Sequence, residues 1–231
     1  MQPANFCGTI TMCQIKRTFS CCNRIMLTLS ITYPQVTLCT NPCVQDRINC
    51  RIQAQVRDFF RYAANDLYQQ AIAACKAARE NGFPFHPYDA VLQYEVTYNR
   101  NCHFSLYRDQ YTFTGGAHGS TIRTSDTWDL IYGCSIPLSC FFPPGQDYRA
   151  FLTEQIIRQA DCQMQQNPGI FFENYRDLIV ANFNPESYYL TPSGLAVYYQ
   201  QYEIAPYSTG IVVFTIPYQT LGWHPSCCAS S

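Results

Sequence analysis

Residues 41–82 read NPCVQDRINCRIQAQVRDFFRYAANDLYQQAIAACKAARENG, and their apolar positions recur every three or four residues. This spacing is the pattern of an amphipathic helix whose apolar stripe faces a protein core. The stripe consists of Val44, Ile48, Ile52, Val56, Phe59, Ala63, Leu67 and Ala71. The periodicity predicts a long helix, either unbroken or divided into two near Asn65.

The two ends of this helix carry their own signals. Asn41 precedes Pro42, which places a capping side chain before a proline at the first helical position. Gly82 and Pro84 follow the last apolar position, and this pair is typical of a helix end. Both signals fall at the limits of the periodic pattern, so the helix is expected to fill residues 41–82.

Strand patterns lie on both sides of the helix. Before it, residues 9–19 and 24–33 are rich in β-branched and apolar residues and are separated by the polar break SCCN. After it, residues 88–130 alternate with a period of two, which predicts a three-stranded meander. Its turns are expected to be three-residue loops, NRN at 99–101 and GGA at 115–117.

If both loops have three residues, counting fixes the pairing of the strands. Phe104 then lies between Val96 and Trp128, and Cys102 lies between Tyr98 and Leu130. One face of the meander becomes apolar throughout, as expected of a sheet that covers a core.

The second half of the chain predicts shorter elements. A helix is expected at 146–165, a short helix near 171–182, and strands near 186–191, 194–201 and 210–216. The fold is therefore predicted to be α+β, with antiparallel sheets packed against one long helix in the N-terminal half and shorter C-terminal helices. The expected domains are 9–132 and 133–221, with a tail at 222–231.

Composition excludes some classes of partner. The 231 residues include 15 basic and 16 acidic ones, so the formal net charge is −1. The chain therefore lacks the excess of positive charge that is typical of nucleic-acid-binding proteins. Only 13% of the residues are charged, whereas 18 are tyrosine and 15 phenylalanine, which favours a protein that recognises a ligand through aromatic surfaces. The chain contains no apolar run long enough to predict a transmembrane segment or a signal peptide.

Fourteen cysteines leave two interpretations open. No C-x-x-C occurs, and the spacings match no zinc site with four ligands, so neither a metal nor another cofactor is expected. Two pairs are adjacent in sequence, Cys21-Cys22 and Cys227-Cys228. Disulfides and buried thiols both agree with this pattern.

The glycine-rich stretch TGGAHGS at 114–120 has three interpretations. A phosphate loop needs a lysine and a following helix, and this stretch has neither. A catalytic His118 needs a nucleophile and an orienting carboxylate within reach, and the expected register supplies none. The stretch is best interpreted as a turn whose histidine bonds to the backbone, and His118 is retained as a candidate ligand contact.

The stretch 198–221 interleaves aromatic residues with one carboxylate, Glu203. Tyr202 and Tyr207 beside this carboxylate and Pro206 predict the lining of a sugar- or peptide-binding groove. The alternative is an irregular crossover in which Glu203 binds backbone amides. The candidate ligand-binding residues are therefore Tyr202, Glu203 and Tyr207, together with His118, and no catalytic residue is assigned.

Two motifs in this order resemble a known family. They are the turn Gly115-Gly116-Ala117-His118-Gly119 and the segment Tyr202-Glu203-Ile204-Ala205-Pro206-Tyr207 with Gly210 after it. Over roughly 9–221 the chain resembles bacterial paired domains of unknown function. Such domains form the ectodomain of the lysozyme-sensing anti-sigma-V factor and also occur beside the catalytic domain of peptidoglycan deacetylases.

The resemblance implies a non-catalytic binding or sensing module of the bacterial cell envelope, on the extracytoplasmic side. The implied partner is a protein such as lysozyme, or a cell-wall glycan related to peptidoglycan. Neither the sigma-binding segment nor the deacetylase catalytic domain is recognised here, so their activities are not expected. The alternatives are a cysteine-crosslinked structural protein of a surface or spore and a small hydrolase built around His118 or Glu203.

Overall fold

The computed structural model describes residues 7–39 and 41–227, which form two compact units. The N-terminal unit contains residues 9–95 and 108–122. The C-terminal unit contains residues 7–8, 96–107 and 123–227. Three strands therefore contribute residues to both units. The predicted domain boundary between residues 132 and 133 stays a prediction.

The N-terminal unit begins with an antiparallel hairpin. Strand β1, Thr9–Cys21, pairs with β2, Arg24–Thr37, so both predicted strands are confirmed and are longer than expected. Cys22 and Asn23 form the turn between them, with φ angles of 50° and 62°. Two consecutive residues in the left-handed region are what a two-residue hairpin turn requires.

The long helix is confirmed and is continuous, and a π-helical turn lies at the position near Asn65 where a division was the alternative. Helix α1, Pro42–Arg61, continues through a π-helical turn, Tyr62–Leu67, into α2, Tyr68–Glu80. The predicted apolar stripe is buried, and both helices contact β2.

Replacing Asn41 with alanine is expected to lower the free energy of unfolding by about 1 kcal/mol. The Asn41 side chain accepts a hydrogen bond from the Val44 backbone N–H at 3.3 Å, which satisfies one unpaired donor of the first helical turn. Chemical denaturation measures this loss. Asn41→Ser keeps a capping oxygen and should lie close to the original protein, so equal losses in the two variants would contradict a capping role.

The larger sheet has the strand order β1-β2-β3-β4-β5, with β3 at Tyr88–Arg100, β4 at His103–Phe113 and β5 at Ser120–Asp129. The pair β2–β3 is parallel, with Leu29 opposite Ala90. Antiparallel sheets were expected, and the parallel pair arises because α1 and α2 form a crossover long enough to join parallel strands. The α+β class is confirmed.

Neither turn of the meander has the predicted three residues, since the connection between β4 and β5 spans residues 114–119, but the predicted pairing of β4 with β5 is right. The β3–β4 turn consists of two residues, Asn101 and Cys102, with φ angles of 51° and 62°, so the register that placed Val96 beside Phe104 is wrong. Between β4 and β5, the rings of Phe104 and Trp128 stack with their centroids 5.6 Å apart, as predicted.

The C-terminal unit contains a second sheet, antiparallel in the order β6-β7-β8. Its strands are Tyr188–Thr191, Gly194–Tyr199 and Val212–Pro217, and its helices are α3 at Tyr148–Gln166, α4 at Tyr175–Ala181 and α5 at Tyr218–Leu221. One face of the sheet shares a core with α3 and α4. The other face carries Tyr189, Ala196 and Tyr198, against which Tyr107 of β4 packs.

The segment predicted as a tail is attached to the C-terminal unit as far as Cys227. Trp223 packs edge-on against Phe141, with ring centroids 4.6 Å apart, and Cys227 forms a disulfide with Cys102. Residues 228–231, which include Cys228, lie outside the described part of the chain. Eleven further cysteines of the described residues are free thiols, eight of them exposed and three half-buried, so one disulfide is present and the expectation of buried thiols is wrong for the described residues.

No helix within residues 7–39 and 41–227 is long and apolar enough to cross a membrane.

Candidate binding surface in the C-terminal unit

The loop between β7 and β8 carries three of the predicted site residues. Its start is fixed by Gln200, whose side chain accepts from the backbone N–H of Arg123 at 2.9 Å and donates to the Arg123 carbonyl at 2.7 Å. Further along, the Asn182 side chain donates to the Glu203 carbonyl at 2.8 Å. These bonds tie the loop to β5 and to the end of α4, so its backbone is held from two sides.

The middle and end of the loop are held by packing and by one more hydrogen bond. Ile204 and Ala205 are almost completely buried in the core shared with α3 and α4. The Thr209 hydroxyl donates to the Ile170 carbonyl at 2.9 Å. The residues between these anchors are thereby presented on a fixed backbone.

Glu203 has a structural role in this loop. Its Oε2 accepts a hydrogen bond from the Gln200 backbone N–H at 2.6 Å, and the Glu203 N–H donates to the Gln200 carbonyl at 3.2 Å. The crossover pinned by Glu203 to backbone amides, one of the two predicted interpretations, is therefore present. Burial raises the pKa of the Glu203 carboxyl, and the hydrogen bond from Gln200 partly offsets that rise.

The contribution of Glu203 to the free energy of unfolding is expected to fall as the pH rises. A carboxyl whose pKa is higher in the folded than in the unfolded state contributes stability fully below its ordinary pKa and loses it as the pH rises through the raised value. Relative to the original protein, Glu203→Gln should therefore gain stability as the pH rises through this window. Denaturation at several pH values measures the difference, and a difference that stays constant with pH would contradict the assignment.

Tyr202 and Tyr207 form an aromatic pair at the surface. Their ring centroids are 5.8 Å apart with an interplanar angle of 33°, and the Tyr202 side chain is 57% exposed. Tyr202 has a φ angle of 67°, a conformation that costs a residue with a side chain about 1–3 kcal/mol. The fixed loop therefore holds an exposed ring on a strained backbone.

Arg123 joins this loop to a second group of tyrosines. Its guanidinium carbon lies 3.7 Å from the centroid of the Tyr107 ring, a cation–π contact. Tyr107 packs on Tyr189 at 5.1 Å, and Tyr189 stacks on Tyr198 at 6.0 Å. Arg123 and Gln200 could not be predicted as partners from sequence, because they are 77 positions apart and neither belongs to a local motif.

His118 belongs to the N-terminal unit. It is exposed, and its Nδ1 lies 3.1 Å from the Gly119 carbonyl oxygen, so the predicted turn histidine bonded to the backbone is confirmed. Gly115 and Gly116 have φ angles of 91° and 88°, which favour glycine. Of the four predicted contact residues, the structure places Tyr202, Glu203 and Tyr207 in one loop.

Among the described residues, no group of three or more His, Cys, Asp or Glu side chains has the geometry to hold a metal ion. The loop offers aromatic faces and hydroxyl groups, which bind a ligand by contact, and Arg123 of β5 carries a cation stacked on Tyr107.

Two family models match the chain in succession. Residues 21–121 match the model described as Deacetylase PdaC. Residues 140–219 match DUF3298, a protein family of unknown function. The two matched regions follow one another along the chain. The predicted resemblance to paired domains of unknown function is thereby confirmed. The Tyr202–Tyr207 loop lies within the region that matches DUF3298.

Solved structures of DUF3298 family proteins share the fold. A member from Bacteroides fragilis NCTC 9343 superposes with a TM-score of 0.71 at 19% identity, covering 94% of this chain and 93% of its own. A member from Pseudomonas aeruginosa PAO1 gives a TM-score of 0.60 at 18% identity, with the same coverage. No curated protein matches the chain.

Proposed function

We propose that this protein is a non-catalytic binding module of the bacterial cell envelope, and that the Tyr202–Tyr207 pair contacts its ligand. The proposed ligand is a protein such as lysozyme, and a peptidoglycan-related glycan is the second ligand to be tested. The observation that carries the proposal is the exposed Tyr202 ring on a loop held by Gln200, Glu203 and the buried Ile204.

An exposed tyrosine on a fixed loop suits a binding contact. Tyrosine is among the residues that contribute most to protein interfaces, because it buries a large area and fixes few rotatable bonds. The Tyr202 ring already packs on Tyr207, and the loop backbone is already anchored, so little conformational entropy remains to be lost on association. Arg123, stacked on Tyr107, supplies a positive charge in the same unit.

The environment of the two candidate catalytic groups favours binding over catalysis. Oε2 of Glu203 is engaged with the Gln200 amide, and Nδ1 of His118 lies against the Gly119 carbonyl. A hydrolase would need one of these groups to face a nucleophile or a substrate. In each group the atom named above bonds to the backbone of its own turn, which supports a structural role for that atom.

An extracytoplasmic location is supported by the Cys102–Cys227 disulfide, since such bonds persist mainly in oxidising compartments. The match of residues 21–121 to Deacetylase PdaC also supports an envelope context.

Immobilised full-length protein offered lysozyme and purified peptidoglycan in parallel tests the proposal. We expect saturable capture of lysozyme that survives physiological salt, since the chain carries almost no net charge. Retention of peptidoglycan in place of lysozyme would assign the glycan as the ligand. Failure to retain either would overturn the proposal.

A second candidate, a cysteine-crosslinked structural protein, is favoured by one observation. Of the eleven free thiols in the described residues, eight are exposed: Cys7, Cys22, Cys39, Cys43, Cys50, Cys134, Cys140 and Cys162. Exposed thiols in an oxidising compartment form bonds between molecules. Electrophoresis without reductant, on protein from its native source, should show a ladder of covalent multimers if this is the function.

A further inference from the structure

A cavity of about 330 Å³ lies between the β1–β2 turn and helix α2 in the N-terminal unit. Its lining combines three thiols, one thioether and three cations, and none of the eight lining residues is acidic. They are Cys21, Cys22, Arg24, Met26, Ile72, Cys75, Lys76 and Arg79. This combination takes no part in the proposed binding function.

The three thiols are close enough to influence one another. Sγ of Cys21 and Sγ of Cys22 are 3.8 Å apart. The hydrogen bond to Cys22 is the largest cause that raises the pKa of the Cys21 thiol, and the charge of Cys75 raises it further. Cys21 therefore keeps its proton more firmly than an ordinary cysteine, and Cys75 shares its electrostatic environment.

The cations give the cavity an affinity for anions. Arg79 lies one helical turn beyond Cys75, and Lys76 follows Cys75 directly. Arg24 is held in place, because it donates to the Phe85 carbonyl at 3.0 Å and its guanidinium lies over the Phe85 ring. Lys76 reaches Glu80 at 4.0 Å, but both side chains are largely exposed, so this pair leaves most of the positive field in place.

We propose that Cys75 is a site of reversible thiol–disulfide exchange with a small anionic disulfide, and that Cys21 is its resolving thiol. Arg24, Lys76 and Arg79 hold the carboxylates of the small disulfide while its sulfurs approach Cys75. The cavity volume of about 330 Å³ accepts one half of such a molecule, with the other half in solvent.

The small disulfide is itself the oxidant in this exchange, so no other oxidant is needed. The Cys75 thiolate attacks one sulfur of the small disulfide, forms a mixed disulfide and releases one small thiolate. The Cys21 sulfur then attacks the Cys75 sulfur, which breaks the mixed disulfide and releases the second small thiol with the proton from Cys21. Cys21 and Cys75 are oxidised to an intrachain disulfide, and the small disulfide is reduced to two thiols.

The test compares the full chain, with its Cys102–Cys227 bond intact, in oxidised glutathione and in the uncharged hydroxyethyl disulfide. Peptide mapping by mass spectrometry gives the rate of modification at each cysteine. Cys50 is the matched internal control, because it lies exposed on α1 and is also followed by a cation, Arg51. We expect oxidised glutathione to modify Cys75 about tenfold faster than Cys50.

Variants separate the steps. Arg24→Gln with Arg79→Gln should remove most of the preference for oxidised glutathione and leave the rate with hydroxyethyl disulfide unchanged. Cys21→Ser should accumulate the glutathione adduct on Cys75 and abolish the Cys21–Cys75 cross-link. The proposal is overturned if Cys75 reacts no faster than Cys50, if both disulfides react equally, or if Cys21→Ser accumulates no more of the glutathione adduct on Cys75 than the original protein does.

Discussion

Replacing Cys227 with serine is expected to lower the free energy of unfolding by about 2–5 kcal/mol. The Cys102–Cys227 bond joins residues 125 positions apart in sequence. In the chain-entropy account, closing a loop of that size restricts the unfolded chain by about 5 kcal/mol. The bond also holds the final segment, in which Trp223 packs on Phe141 and Tyr218.

The design of this test must account for Cys228, which follows Cys227 directly and offers a second thiol to Cys102. We therefore compare Cys227→Ser in a Cys228→Ser background with Cys228→Ser alone, by urea denaturation. Cys162→Ser, which removes an exposed thiol from α3, is the control and should change stability by less than about 0.5 kcal/mol. A loss at Cys227 as small as that of the control would show that the bond contributes nothing to stability.

Replacing Gly194 with alanine is expected to lower the free energy of unfolding by about 2–3 kcal/mol. Gly194 pairs with Pro217 at the start of β7, and a Cβ there would lie 2.2 Å from the Ile216 carbonyl oxygen. The obstructing atoms belong to backbone, so relief requires β7 and β8 to move apart, and that movement reaches the buried Leu195 and Ile216.

Ser193→Ala is the matched control for Gly194→Ala, because it changes the neighbouring exposed residue of the same turn. It should alter stability by less than about 0.5 kcal/mol. Thermal or urea unfolding of both variants measures their difference in stability. Equal stability of the two variants would contradict the close approach of β8 to Gly194.

The sequence predicted the elements whose signals are local. The helix over 41–82 was predictable because a 3.6-residue period and a cap at Asn41 both act within a few residues. The parallel pairing of β2 with β3 was not predictable, because no local sequence pattern in either strand indicates which strand it pairs with. The β3–β4 register failed at Asn101 and Cys102, where a non-glycine pair adopts the left-handed conformation.

In the candidate site, too, residues with a local sequence signal were predictable and contacts between distant segments were not. Tyr202, Glu203 and Tyr207 were found from one aromatic-rich stretch and lie in one loop. The bond from Gln200 to Arg123 and the disulfide from Cys102 to Cys227 were missed, since both join distant segments. Fourteen cysteines allow too many pairings for spacing to select one.

The affinity of the protein for lysozyme, measured by titration calorimetry with and without the two tyrosines, tests the central claim most directly. Tyr132→Ala is the control, because Tyr132 is 56% exposed, close to the 57% of Tyr202, and lies elsewhere in the same unit. We predict that Tyr202→Ala with Tyr207→Ala weakens binding about 30-fold or more, the loss of a hot spot of at least about 2 kcal/mol, while Tyr132→Ala has little effect. Binding by the double variant as tight as that of the control would contradict the account.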